Sequence, residues 1–492
     1  MTRTATPGRA RAAAGAVVLP LALAQFIASY AASNMNVAIT TIADDLHTDV
    51  TGIQTTITLF TLTMAALMIP GSKLTDIWGR RRCFLLGLAI YGAGALIAAL
   101  APGLGLLTLG YSLFEGVGSA LLIPPIYILV TVFFTNMRER AKWFGVVSAA
   151  AGLGSAAGPL IGGLVTSYIS WRASFLLQVL VVAAIAVLAR RIDDPPLTGP
   201  RPSFDLFGAV LSAVGLFFVV FGVLQSGTYG WGSARQAFTV FGVELIPEGG
   251  ISPVWVLVAI GIVFLVVFAV HVRRREANGR EPLVSPALAH NWTSNLGLAT
   301  QTVQWLVLQG SFFVISVFLQ QERGFSAIQT GLMLLPATVG ILLSSAMAQR
   351  MASRHPQRLL IRAGFTLTVV GLGLLLALAR VDSPVWTFWP GLFVMAFGVG
   401  AMLTASVNLV QSAWPEESQG DISGVSRSVS NLGSSLGVAI AGSVLVGAGE
   451  RGGQPFLTAI VVVGGFALVG WVAALLLPHT HAATDRGEPA AT

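Results

Sequence analysis

Leu107–Phe134, LTLGYSLFEGVGSALLIPPIYILVTVFF, is a run of 28 residues with no Lys, Arg or His and a single acid, Glu115. About 20 consecutive apolar residues let a helix cross the hydrocarbon core of a bilayer, so the run reads as a membrane span. A charged carboxylate at that depth costs at least about 2–3 kcal/mol, which makes Glu115 a functional residue by default.

The rest of the chain fits a bilayer as well. Hydrophobic residues make up 54% and charged residues 10% of the 492, with a mean hydropathy of +0.79, which excludes a soluble domain. Fourteen apolar runs lie near 15–38, 52–70, 84–101, 105–134, 143–168, 172–189, 206–226, 253–272, 292–319, 328–348, 360–379, 385–411, 422–447 and 455–477. The acids other than Glu115 fall in hydrophilic connections or at helix mouths.

Short cytoplasmic loops retain basic residues, which tests the count independently. With the N-terminus placed inside, 22 of the 28 Lys and Arg fall in inner segments and 5 in outer ones, leaving Arg427 in a span. An even number of spans then puts both termini in the cytoplasm. The net charge of +7 follows from this asymmetry, so it reads as topology and not as a nucleic-acid surface. The first run follows a basic N-region, but its length and the thirteen runs after it point to a retained first helix and not a signal peptide. The single cysteine, Cys83, excludes an internal disulfide and a cysteine metal site. Richness in Ala and Gly with 26 Arg against 2 Lys suggests a GC-rich bacterial genome and hence a bacterial plasma membrane.

Three longer connections, 190–205, 227–253 and 273–290, bracket the seventh and eighth runs. The expected organisation is an N-terminal six-helix half at 1–190, a linker with two inserted transmembrane helices at 191–290, and a C-terminal six-helix half at 291–492. A weak internal repeat supports the halves: the basic turn Gly71–Arg82 after the second run has a counterpart at 348–358 after the tenth, with Ser353 where the first has Asp76. Repeats of this kind place a substrate site at the midplane.

Two motifs carry a resemblance. Gly71-x-x-x-x-Asp76-x-x-Gly79-Arg80-Arg81-Arg82 resembles the signature turn of the major facilitator superfamily, and Gly154-x-x-x-Gly158-Pro159-x-x-Gly162-Gly163 in the fifth run resembles its antiporter motif, followed by Trp171-Arg172-x-x-Phe175. Their order within fourteen runs is similar to the fourteen-helix drug:proton antiporter branch. The resemblance implies an all-α membrane protein of the major facilitator fold that exports amphipathic organic compounds by alternating access. The implied partners are a small organic substrate, protons and the lipid bilayer, with no cofactor, no metal and no enzymatic activity, in a chain expected to work as a monomer.

Physics gives each motif a reason. Gly71 and Gly79 permit a tight turn, and Arg80 and Arg81 anchor it at an anionic leaflet. In the branch this turn latches the halves, and Arg427 is a plausible partner for Asp76; the alternative is that Arg427 snorkels to the interface. Gly158-Pro159 breaks the backbone ladder between glycines that make a smooth groove, or merely kinks a packing helix. The sequence also departs from the branch. Asn36-Val37-Ala38 is present, but Ala31 stands where the branch carries Asp, and Ser112 and Glu115 stand where it carries Arg and Gln. Both members of the usual charged pair are therefore missing.

In this family the first and fourth helices of each half line the cavity, and their polar residues fall at helical spacing. The candidates are Gln25, Ser29, Ser33 and Asn36 in the first span, Tyr111, Ser112, Glu115 and Ser119 in the fourth, Gln301, Trp305 and Gln309 with Gln304 beside them in the ninth, and Thr404, Asn408 and Gln411 in the twelfth. Such a cavity suits amphipathic, cationic molecules held by apolar contact, cation–π attraction and Glu115. If Glu115 exchanges a proton there, protonation and substrate binding compete at one site. The alternatives are interhelical hydrogen bonds that glue the bundle, and a neutral Glu115 bonded to Ser112 or Tyr111.

A membrane-embedded enzyme is the competing class, with Asp44-Asp45 and Asp193-Asp194 as metal pairs, but the topology puts them on opposite sides of the membrane. No phosphate-binding loop is present to couple ATP. Within transport, the runner-up is an exporter or facilitator of a specific metabolite with little or no proton coupling.

Overall fold

The computed structural model describes residues 7–134, 137–190, 192, 203–240, 243–351, 355–380, 382–414, 419–449 and 454–478. Among them, twelve helices are long and apolar enough to cross a membrane alone, and two bent pairs bring the number to fourteen. The spans are 1 (Val17–Val37), 2 (Val50–Trp78), 3 (Arg80–Ala99), 4 (Leu104–Val130), 5 (Gly145–Ser155 with Ala157–Tyr168), 6 (Trp171–Ala189), 7 (Leu206–Tyr229) and 8 (Pro253–Ala277). They continue as 9 (Trp292–Glu322), 10 (Ala327–Met333 with Leu335–Ala348), 11 (Gln357–Leu378), 12 (Val385–Ser412), 13 (Asp421–Gly447) and 14 (Pro455–Leu475).

Side-chain caps fix where several spans start. Asp49 accepts from Gly52 N at 2.7 Å before span 2, Asp205 from Gly208 N at 3.0 Å before span 7, and Asn291 from Ser294 N at 3.0 Å before span 9. Ser326 and Gln329 close a reciprocal capping box at the start of span 10. Both bends follow from proline. Span 5 turns by 40° three residues before Pro159, and span 10 by 40° two residues before Pro336, where the ring displaces the preceding carbonyls.

The first and last six spans repeat one packing scheme. Contacts of 1 with 5 and 6, of 3 with 4 and 6, and of 2 with 4 recur as 9 with 13 and 14, 11 with 12 and 14, and 10 with 12. Span 2 lies along span 13 and span 5 along span 10, so the contacts between the two sets are themselves related by the repeat. Spans 7 and 8 break it. Span 8 packs chiefly on span 7, and span 7 rests on both span 2 and span 13. The connection between 7 and 8 carries a short antiparallel hairpin, β1 (Phe238–Val240) with β2 (Val243–Ile246), which the apolar periodicity does not anticipate.

The two glycines of the basic turn have different roles. Gly79 takes φ 97°, a conformation a side chain rarely adopts, and links spans 2 and 3 directly. Gly71 is not part of the turn: it lies inside the helix of span 2, where a Cβ would strike the Ala120 carbonyl of span 4. Its purpose is close helix approach.

Candidate functional site

Span 4 passes from a first α-helical turn, Leu104–Leu107, into π-helical geometry over Thr108–Glu115 and returns to α-helix at Gly116. The i→i+5 pattern widens the turn and shifts the rotational phase of the helix that follows it. This corrects the expected stripe. Tyr111 donates to the Ala31 carbonyl of span 1 at 3.0 Å and stacks on Phe60 at 4.5 Å, Ser112 donates to the Thr56 carbonyl of span 2 at 2.7 Å, and Glu115 turns toward span 3. Ser119 is fully buried, and its hydroxyl has no hydrogen-bond partner.

Glu115 is 0% exposed, and neither carboxyl oxygen accepts a hydrogen bond. It is enclosed within the first six spans, with the phenols of Tyr91, Tyr111 and Tyr30 in electrostatic reach. The alternative of a bond to Ser112 or Tyr111 is not realised, since neither carboxyl oxygen has a hydrogen-bond partner. Glu115 itself lies on no open face. The polar shell around the carboxyl comes from spans 3 and 6, which were not expected to contribute. Tyr91 donates to Gln178 Oε1 at 2.5 Å, and Tyr30 and Ser174 pair at 2.6 Å, with Asn34 Nδ2 donating to the same serine at 2.9 Å. The signal for Gln178 was present as an amide within the apolar run 175–189 of span 6.

The remaining stripe residues divide between helix joints and accessible positions. In span 1, Gln25 donates to Ser29 at 3.3 Å and accepts from Tyr127 at 3.3 Å, Ser33 bonds its own helix backbone, and Asn36 is buried. Gln301 accepts from Ser426 of span 13 at 2.9 Å, Gln304 from Ser406 of span 12 at 3.0 Å, and Gln309 donates to Ala32 of span 1 at 3.2 Å. Ser29, Trp305, Thr404 and Gln411 are half-buried and Asn408 is exposed. Gln411 reaches Ser423 at 3.5 Å.

In span 5, a Cβ on Gly154 would strike the Phe26 carbonyl and one on Gly158 the Ser33 hydroxyl, while Gly162 rests on Asn34. Gly163 faces the other way, against Ala327 of span 10, and Gly331 of span 10 abuts the Pro159 carbonyl. The motif therefore sits where spans 1, 5 and 10 meet.

At the basic turn, the anticipated pairing of Asp76 with Arg427 is corrected. Arg427 donates to the Tyr127 hydroxyl of span 4 and lies 4.7 Å over its ring, so it neither meets Asp76 nor snorkels. Among the described residues at this end, Lys73 pairs with Asp421 across the two sets of spans, at 3.5 Å. Asp76 is half-buried, Arg80 continues into span 3, and Arg81 donates to the Arg190 carbonyl at 3.1 Å. At the opposite end, Gln320 ties the two sets together. Its Oε1 accepts from Thr40 N and Oγ1, both at 3.1 Å, and its Nε2 donates to the Asn36 carbonyl at 2.9 Å. Of the proposed aspartate pairs, Asp45 is bound by Arg172, and 193–194 lie outside the described residues. No group of three or more His, Cys, Asp or Glu able to hold a metal occurs among the described residues.

Comparison with known proteins places this architecture. The family model for the Major Facilitator Superfamily matches residues 21–289, 206–438 and 297–492 in overlapping segments. The puromycin resistance protein of Streptomyces alboniger is 28% identical over 93% of this chain and 90% of its own length. The cephamycin export protein of Amycolatopsis lactamdurans is 28% identical over 99% and 97%, and the multidrug resistance protein Stp of Mycobacterium tuberculosis 27% over 84% and 72%. The chain is a multi-pass membrane carrier and not an enzyme, and it belongs to the major facilitator superfamily, among whose drug-exporting members its relatives fall.

Proposed function

We propose that this protein exports amphipathic organic compounds of the antibiotic type by alternating access of its two six-span halves, 1–190 and 291–492, with both termini in the cytoplasm and protons moving in the opposite sense. The relatives' names, a puromycin resistance protein and a cephamycin export protein, support the substrate class. The observation that carries proton coupling is Glu115, the acid in mid-span, buried and close to no charged partner among the described residues. A carboxyl held so far from counter-charge changes its charge state only if the surroundings rearrange, which is what a coupling group needs. Because it lies behind the Tyr111 and Ser112 joints, proton and substrate would act on one another through helix movement and not by competing for one spot. Half-buried Ser29, Trp305 and Gln411 with exposed Asn408 are the proposed substrate contacts, and Gly154, Gly158 and Gly162–Gly163 the surface on which span 5 moves.

The second reading, export with little coupling, is favoured by Ala31 and Ser112 in place of the family's charged pair. Proteoliposome efflux of a panel of dyes and antibiotics, with and without an imposed pH gradient, separates the two. The expected result is gradient-driven efflux in the wild type that Glu115→Gln uncouples by about tenfold or more. Efflux that ignores the gradient in the wild type would sink the antiport reading.

A further inference from the structure

We propose that Tyr91 and Gln178 are positioning residues that read the protonation state of Glu115 by reversing a two-link hydrogen-bond chain. The inference rests on Glu115 as the proton carrier and adds how its state is passed to other helices.

Tyr91 and Glu115 face one another where spans 3 and 4 approach closely, and the Tyr91 proton is directed to Gln178 Oε1 at 2.5 Å, with a longer approach to the Ile27 carbonyl at 3.4 Å. Two polar groups are left over: both carboxyl oxygens of Glu115 and Nε2 of Gln178, all buried and without partners. A phenol has one proton to donate, and an amide carries donors on one side and an acceptor on the other. The observed arrangement therefore suits a neutral Glu115, which demands no donor, while Tyr91 gives its proton to Gln178. Once the proton leaves Glu115 for water, the carboxylate requires a donor. Tyr91 then turns its proton to Glu115, and Gln178 rotates its amide so that Nε2 donates to Tyr91 Oη. The orphaned donor of the first arrangement is satisfied in the second, and no atom has to enter or leave apart from the proton.

The helices are built to hold this chain. A Cβ on Gly118 would lie 2.5 Å from Tyr91 N and one on Gly94 2.7 Å from Glu115 N, so spans 3 and 4 cross backbone to backbone at the carboxyl. Gln178 sits one turn from Ser174, whose hydroxyl joins Tyr30 and Asn34, and Asn34 abuts Gly162 of the moving span 5. The titratable groups facing Glu115 are Tyr30 from span 1, Tyr91 from span 3 and Tyr111 from span 4; spans 2 and 6 present Thr56, Ser174 and Gln178, none of which titrates in this range.

The test uses full-length protein in liposomes, with infrared difference spectra recorded between pH 4 and 10 and ethidium transport followed in parallel. The expected result is a protonated-carboxyl band that vanishes in Glu115→Gln, and a glutamine amide band that appears with the same midpoint and vanishes in Gln178→Leu. Tyr91→Phe and Gln178→Leu should each move the carboxyl midpoint by about one pH unit, the size of one lost hydrogen bond to the charged form. A carboxyl midpoint unmoved in both variants, or no carboxyl titration across the range, overturns the inference. The amide band of the wild type, identified by isotope-labelled glutamine, needs no variant to fold, and its absence overturns the inference too. Ethidium transport with unchanged pH dependence in Glu115→Gln would instead remove the antiport reading while leaving the hydrogen-bond chain to stand on its spectra.

Discussion

Arg172 donates to Asp45, donates to the Ala101 carbonyl at 3.0 Å, and lies 4.3 Å over the Trp171 ring, whose Nε1 in turn reaches Asp45 at 3.0 Å. The guanidinium hydrogen bond holds the Asp45 carboxyl below its ordinary range. Asp45 is well exposed, so solvent screening keeps the stabilisation small, and Arg172→Ala should lower the melting temperature in detergent by only about 1–3 °C, read by tryptophan fluorescence. The Trp171-Arg172 pair was legible in the sequence as a family feature, whereas Asp45 was offered there as half of a metal pair. Glu115 shows the same limit. Its type and depth could be read from one apolar run, but its neighbours could not, because the π-helical turn before Gly116 leaves no mark in hydrophobic periodicity and rotates the face on which the carboxyl emerges.

At the scale of elements, the fourteen spans are legible because each needs about 20 apolar residues and sheds its charges into connections. What joins the elements is harder to see. Asp205 caps span 7, is 1% exposed, and accepts from His271 of span 8 at 3.0 and 3.2 Å with Arg275 at 3.8 Å. Burial pushes this carboxyl up, but the His271 bond, the Gly208 N–H and the nearby charges together hold it below the usual range. A folded pKa below the unfolded value means the stability is present above about pH 4 and lost as the pH falls through the lower folded value. Thermal unfolding followed from pH 7 to 3 should show the wild type losing stability below pH 4, and Asp205→Ala, already lower by about 1–2 kcal/mol for the lost cap, losing less. A wild type and variant that decline in parallel would remove Asp205 from the account. The sequence placed Asp205 in a loop; its tie to a residue 66 positions away appears only once spans 7 and 8 are packed together.

For the whole molecule, the two halves are fastened at both ends by contacts that sequence motifs did not single out. Lys73 and Asp421 pair at the basic turn, and Gln320 holds Asn36 and Thr40 at the other end. Motif reasoning reached the right turn but the wrong partner, since pairing across more than 300 residues depends on how span 13 is rotated against span 2. Under alternating access the Gln320 bonds must break when that end opens. With three hydrogen bonds removed and each worth about 0.5–1.5 kcal/mol net, Gln320→Ala should favour the open end by about tenfold or more. The check is the labelling rate of Ala38→Cys, buried between Asn36 and Thr40, by a membrane-impermeant maleimide, in a Cys83→Ser background and with Gln320 present or replaced. Equal rates would show that this contact does not hold the end shut.

Span 7 leans on span 2 and span 13 together, across one of the two long lines along which the halves meet. Its upper turns are seated on Ala439 through Val223 and Leu224. The other line, span 5 on span 10, is fastened near Ser167, Ile328 and Gly163, away from the basic turn. The carrier therefore resembles a book with a covered spine: pages that part along span 5 and span 10 leave the covering undisturbed, whereas parting along the spine would have to drag spans 7 and 8 through the lipid.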